Sequence, residues 1–187
     1  MPIARGFSLL EILIAMAISS TLMLSSLKLL PSLQMAVLRQ SQDIIIQEDL
    51  WMMARVIGKH LQRAGYCAGT CSGEGLTVSN NGRCFIVRWD ANNNGVWEKA
   101  IPGESELTGF RLHENALETL RGARACTDSG WEKMSEPALF SITDFQVVTR
   151  NLQGYPPRMI VTLDAVATRN SEQTYRVSHQ VTGYNLP

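Results

Sequence analysis

The sequence predicts an α+β fold: one long N-terminal helix, half membrane-spanning and half amphipathic, packed on an antiparallel β-sheet. Three observations predict it. Residues 7–27 are apolar or small apart from one acid. Residues 33–64 then place apolar side chains mostly three and four apart, the period of a helix with one buried stripe. Beyond Gly65 the apolar period shortens to two and Gly, Asn and Pro punctuate it, as in strands and turns.

The first element decides most of the functional reading. About 20 apolar residues cross a bilayer as a helix, because a lone segment must satisfy its backbone internally. Arg5 on the short side favours a cytoplasmic N-terminus. The remainder of the chain is then expected outside the cytoplasm. Glu11 interrupts the apolar run. An acid at such depth costs roughly 2.5–3.5 kcal/mol on insertion scales and calls for a partner. A cut between Gly6 and Phe7 would create one. The new α-amine would lie about a helical turn from Glu11 on its own chain, or directly beside Glu11 of a neighbouring subunit.

The segment Gly6-Phe7-Ser8-Leu9-Leu10-Glu11 resembles the leader junction of type IV pilins and type II secretion pseudopilins. That pattern is a short basic leader ending in Gly, then Phe, then Glu at the fifth mature position, then an apolar helix. The resemblance implies a prepilin peptidase that cuts after Gly6 and N-methylates Phe7. It also implies a helix that serves first as inner-membrane anchor and later as filament core, with Glu11 making the assembly contact to other minor and major pilins. Two other readings compete. Ala15-Met16-Ala17 fits a signal-peptide cleavage site, but the acid lies in the would-be apolar region and the apolar run continues past it. A plain signal anchor leaves the cost of Glu11 unexplained.

The expected organisation is a leader over residues 1–6, a membrane or filament-core helix over 7–30, an amphipathic stalk helix over 31–65 and a periplasmic β-rich domain over 66–187. Pro31 is expected to interrupt the helix, and Lys28 to mark the outer membrane surface with a snorkelling stem. The stripe Ile46, Leu50, Met53, Ile57, Leu61 and Ala64 faces the domain's own sheet, whereas the part up to Val37 is expected to contact other subunits. Gly65 ends the helix.

Residues 76–79 and 83–89 form a first expected hairpin around a type I′ Asn81-Gly82 turn. Residues 107–113 and 116–121 form a second around Glu114-Asn115. Late strands cover 139–150, then Met159, Val161, Leu163, Ala165 and Ala167 on one face, then Tyr175, Val177, His179 and Val181. Residues 127–137 read as loop. The segments 110–117, 140–148 and 157–163 resemble the J-type pseudopilins and W-type minor pilins. Some tip-type members lack the acid, so Glu11 argues against a place at the extreme tip.

The chain has 187 residues, 17 basic and 17 acidic, so no overall field attracts nucleic acid. Arg111, Arg121 and Arg124 gather near Trp131, but Glu114, Glu118 and Asp128 interleave with them. A solvated mixed-charge face is the reading, with no nucleic-acid partner expected. Four cysteines, Cys67, Cys71, Cys84 and Cys126, follow the membrane segment. In an oxidising compartment they suggest two disulfides with three connectivities open. The preferred set staples strands through Cys84–Cys126 and closes the loop after the helix through Cys67–Cys71. Zinc lacks a second close ligand pair.

Asp90, Asn92 and Asn94, followed by Gly95, match the first half of a calcium loop. The second half departs, with Ile101 where a glutamate belongs, so Glu98 or Glu104 would have to substitute. A polar turn is the alternative, and no other cofactor is indicated. His60, His113 and His179 are scattered and no nucleophile, phosphate-loop or zinc-protease motif is present. The chain therefore reads as a minor pilin or pseudopilin that helps prime or cap a filament, and as a substrate instead of an enzyme. An anchored periplasmic binding or adhesion module that never polymerises is the second reading.

Overall fold

The computed structural model describes residues 6–98 and 105–187, apart from the side chains of Lys28 and Leu152. Arg5, Ile101, Glu104 and the Lys28 side chain, each used above, lie outside the described residues. Contacts divide the chain into two units, residues 1–45 and 46–187.

Helix α1 runs without a break over Leu9–Arg63. Pro31 lies inside it, against the expected interruption. Proline removes one donor, but the apolar helix formers on both sides keep the chain helical. The Ser32 hydroxyl donates to the Leu29 carbonyl at 2.7 Å within the same turn. The helix stops where Gly65 adopts φ +83°, the left-handed position that glycine occupies without steric cost.

Within residues 46–187, the predicted stripe is buried: Leu50, Ile57, Leu61 and Ala64 are wholly inaccessible. They share one core with Phe85, Phe110, Phe140, Phe145, Met159 and Leu163. Each fully buried large apolar side chain contributes roughly 1.5–3 kcal/mol from area alone. The core thus ties the helix to the strands through side chains that an i, i+4, i+7 spacing brings to one face.

The strands form two antiparallel sheets where one was expected. β1 (Leu76–Ser79), β2 (Cys84–Arg88), β3 (Leu107–His113), β4 (Ala116–Arg121) and β5 (Glu132–Lys133) follow in that order. β6 (Phe140–Leu152), β7 (Tyr155–Ala167) and β8 (Asn170–Thr182) make the second sheet. β7 buries Met159, Val161, Leu163, Ala165 and Ala167 in strict alternation, as predicted. The Glu114-Asn115 turn has both residues at positive φ, 47° and 60°, and pairs His113 with Ala116. That is the two-residue geometry whose twist suits a hairpin.

The first hairpin differs. Ser79 pairs with Cys84, so the turn has four residues and Asn80, Asn81 and Gly82 all sit at positive φ. Asn tolerates this conformation, and Asn80 therefore joined the turn. β5 emerges from the segment read as loop, because Thr119 and Glu118 of β4 pair with Glu132 and Lys133.

Candidate functional site

The predicted processing site lies at the start of α1. Gly6, Phe7 and Ser8 are non-helical and the helix begins at Leu9. The Ser8 carbonyl accepts the Ile12 N–H at 3.3 Å. The Glu11 N–H donates to Ser8 Oγ at 3.2 Å, and the Ser8 N–H donates to Glu11 Oε2 at 2.8 Å. These reciprocal bonds are a capping box, which satisfies two N–H groups that a helix start otherwise leaves orphaned. The signal was legible as Ser8-x-x-Glu11, but the acid drew notice for its place in the apolar run and in the pilin-type leader pattern.

Phe7 is 85 % exposed. It forms with Glu11, Ile12, Ala15, Met16 and Ser19 an open groove of about 360 Å³ along one helix face. Polar side chains farther along are satisfied internally. Ser20, Thr21, Ser25 and Ser26 donate to carbonyls three or four residues back. The helix, with a mean hydropathy of 1.8 in its most apolar window, is long and apolar enough to cross a membrane.

The structure joins Cys67 to Cys71 and Cys84 to Cys126. Cys84 begins β2, whereas Cys126 lies in the turn after β4, so the bond ties a strand to a turn instead of the expected two strands. The Arg111 guanidinium lies between them in role: Nε meets Glu118 Oε2 at 2.8 Å and Nη1 donates to the Cys126 carbonyl at 2.7 Å. It also stacks 4.4 Å from the Trp131 ring centre. Arg121 donates to the Ser105 carbonyl at 3.3 Å. Arg111 and Arg121 are thus engaged within the domain.

Asp90, Asn92 and Asn94 do meet in one loop. Asp90 is buried and accepts the N–H groups of Ala68, Gly95 and Asn94 at 3.0, 2.9 and 3.1 Å. Desolvation raises its pKa, but those donors together with Asn93 outweigh it and hold the carboxyl below the usual range. Asn92 Oδ1 accepts the Asn94 N–H and Asn94 Oδ1 accepts the Val96 N–H. Both Asn amides donate to Glu98 Oε1. The candidate oxygens are engaged with N–H groups of the loop and of Ala68, which a cation would have to displace. Among the described residues no group of three or more His, Cys, Asp or Glu side chains is arranged to hold a metal.

Sequence reasoning missed Glu106, which is buried and receives the Ala91 and Glu98 N–H groups at 2.6 and 3.1 Å. Burial first, and then a hydrogen bond to Glu98, raise its pKa. Nothing in its local sequence signals this, because its partners lie 15 and 8 residues earlier in the chain.

The histidines stay apart. His60 sits edge-on to Trp89 and Phe110 at 5.0 and 5.1 Å, His179 lies 6.4 Å from Trp51, and His113 approaches Glu118 at 3.6 Å.

Comparison with known proteins accounts for both ends of the chain. The prokaryotic N-terminal methylation motif matches residues 1–27, and the family model of prepilin peptidase-dependent protein B matches residues 39–183. The chain belongs to the prepilin peptidase-dependent protein B family. Its similarity to that protein from Escherichia coli strain K12 is 45 % identity over 182 residues, 97 % of each chain. No solved structure matches. The methylation motif covers the capping box and most of the exposed apolar run behind it. Family membership agrees with the pilin-type resemblance of the junction at Gly6 and of the late strands.

Proposed function

We propose that this chain is a minor pilin or pseudopilin. A prepilin peptidase hydrolyses the Gly6–Phe7 peptide bond, leaving a carboxylate on Gly6 and an amine on Phe7, which is then N-methylated. The inner membrane holds residues 7–30, with the N-terminus cytoplasmic and residues 66–187 periplasmic. The subunit then joins other minor and major pilins through its N-terminal helix and helps prime or cap a type IV pilus or type II secretion pseudopilus. It is the substrate of this chemistry and performs none itself.

The observation that supports the reading most is a coincidence of position. The methylation motif covers residues 1–27, and those residues lead into a helix whose apolar side chains from Leu9 to Leu30 are exposed. An exposed apolar surface of that length is soluble only in a bilayer or against other apolar helices. An acid among those side chains then needs a cationic partner, which the cut supplies.

The test is Glu11→Ala in cells that make a prepilin peptidase and pilin-type subunits. The variant is expected to be cut as wild type but to copurify poorly with those subunits. Undiminished copurification and filament yield would remove the assembly role.

A further inference from the structure

We propose that the groove between the β1–β2 turn and β6 is a binding site for a neutral, hydroxyl-rich ligand, a glycan. The groove has a volume of about 440 Å³ and is lined by Asn80, Asn81, Arg83, Asp144 and Gln146. That volume falls among small-ligand clefts, roughly 300–1,000 Å³. Such clefts are mostly apolar, whereas every side chain lining this one can hydrogen-bond.

The charges around it cancel. Arg83 Nε and Nη2 both meet Asp144 Oδ1, at 3.0 and 2.9 Å. Asp144 pairs with Asp164 across β6 and β7, and Arg176 holds Asp164 through two bonds of 2.6 Å. Balanced charge of this kind selects neither an anion nor a cation. Hydrogen-bonding capacity remains. Among the described residues, the side-chain amides of Asn80 and Asn81, Gln146 Oε1, Arg83 Nη1 and Asp144 Oδ2 have no hydrogen-bond partner. The amides both donate and accept, the guanidinium donates and the carboxylate accepts. A sugar hydroxyl also does both, and vicinal hydroxyls present the two roles side by side. A phosphate or an ammonium would leave half of this set unused.

The groove is shaped before any ligand arrives. Asn80 and Asn81 are held at φ 51° and 55°, a conformation that costs a residue with a side chain more than it costs glycine. Gly82 presses the turn onto β6, where a Cβ would lie 2.7 Å from the Val147 carbonyl oxygen. Gln146 Nε2 donates to the Asn81 carbonyl at 3.3 Å, and the Arg83 N–H donates to the Asn80 carbonyl at 3.1 Å. Backbone strain of this kind gathers at binding sites, and groups already fixed lose less freedom on binding. A turn that only reversed the chain would be more stable with glycine at position 80 or 81.

The test is titration of the ¹⁵N-labelled full chain with maltose and with chitobiose, in micelles of a detergent without a sugar headgroup. The readout is the side-chain amide resonances of Asn80, Asn81 and Gln146. At least one of the two sugars is expected to shift them saturably at millimolar concentration, with no weakening by added salt. Glucuronate is expected to bind no more tightly than the neutral sugar. Asn80→Gly keeps the left-handed backbone and removes one amide. It is expected to raise the melting temperature yet weaken sugar binding about fivefold, the worth of one hydrogen bond. Asn81→Gly is expected to do the same. No shift with either sugar, a response to glucuronate alone, or full binding by both glycine variants would overturn the proposal. None of these results bears on processing at Gly6–Phe7, because the groove lies wholly within residues 46–187.

Discussion

Removing the Cys84–Cys126 disulfide is expected to cost residues 46–187 about twice what removing Cys67–Cys71 costs. The larger bond joins residues 42 apart and the smaller joins residues 4 apart. In the chain-entropy account, each closure takes about 2.1 + 1.5R ln n cal/mol/K from the unfolded chain. For the larger loop this is ~13 cal/mol/K, or about 4 kcal/mol at 25 °C; for the smaller it is ~6 cal/mol/K, or about 2 kcal/mol. Cys84 is wholly buried, so paired alanine substitutions keep the site apolar and leave no orphan polar group. All four tryptophans, Trp51, Trp89, Trp97 and Trp131, lie in this unit. Urea titration of the detergent-solubilised chain, followed by tryptophan emission, therefore reports its unfolding. Equal losses for the two double variants, or a larger loss for Cys67→Ala/Cys71→Ala, would refute chain closure as the source of the difference.

Stability is also expected to fall as pH is lowered from 6.5 toward 4. Burial first, and then the charge of Arg63, bring His60 from 6.5 down to about 4. The unfolded chain therefore binds the proton more readily. The contribution of the neutral ring is complete above 6.5 and is lost as pH falls through the folded value. The slope is bounded by about 1.4 kcal/mol per pH unit and is reduced by the ring's remaining contact with solvent. His60→Met, which also removes the unpartnered Nδ1, should flatten this limb; an unchanged slope in urea midpoints across that pH range would contradict it. Gly58→Ala should lower the melting temperature although alanine is worth about 0.8–1.0 kcal/mol more than glycine inside a helix. Its Cβ would come within 2.7 Å of His179 Cδ2 and 3.0 Å of Val181 Cγ1, and overpacking costs about 1–3 kcal/mol. In a His179→Ala background the loss measured by calorimetry should shrink to what the Val181 contact imposes, and an undiminished loss there would point to another cause.

Local periodicity made much of the fold legible. The helix stripe from Ile46 to Ala64 and the alternation in β7 are repeats that a single face must bury, and both are buried as read. The Glu114-Asn115 turn was legible because two residues between paired strands leave little choice of geometry. The first hairpin was misread by the strength of Asn81-Gly82, since Asn80 accepts the same left-handed backbone. The split into two sheets and the two-residue β5 depend on which strands meet in space, and no local period encodes that. At the junction, Glu11 stood out within the apolar run, and the resemblance to pilin leaders singled out Gly6 and Phe7. The Ser8 partnership needed coordinates to show that the acid turns back on its own chain. In the Asp90 loop, residue types predicted convergence. They could not show that N–H groups from Ala68 and Gly95 already occupy the carboxylate.

The central claim is that the chain is processed at Gly6–Phe7 as a pilin-type subunit. Its most direct test is mass spectrometry of the N-terminal peptide after co-expression with a prepilin peptidase. The account predicts a chain that begins at N-methylated Phe7. A chain that still begins at Met1 in the presence of an active peptidase, or one that begins at Ile18 after Ala17, would contradict it.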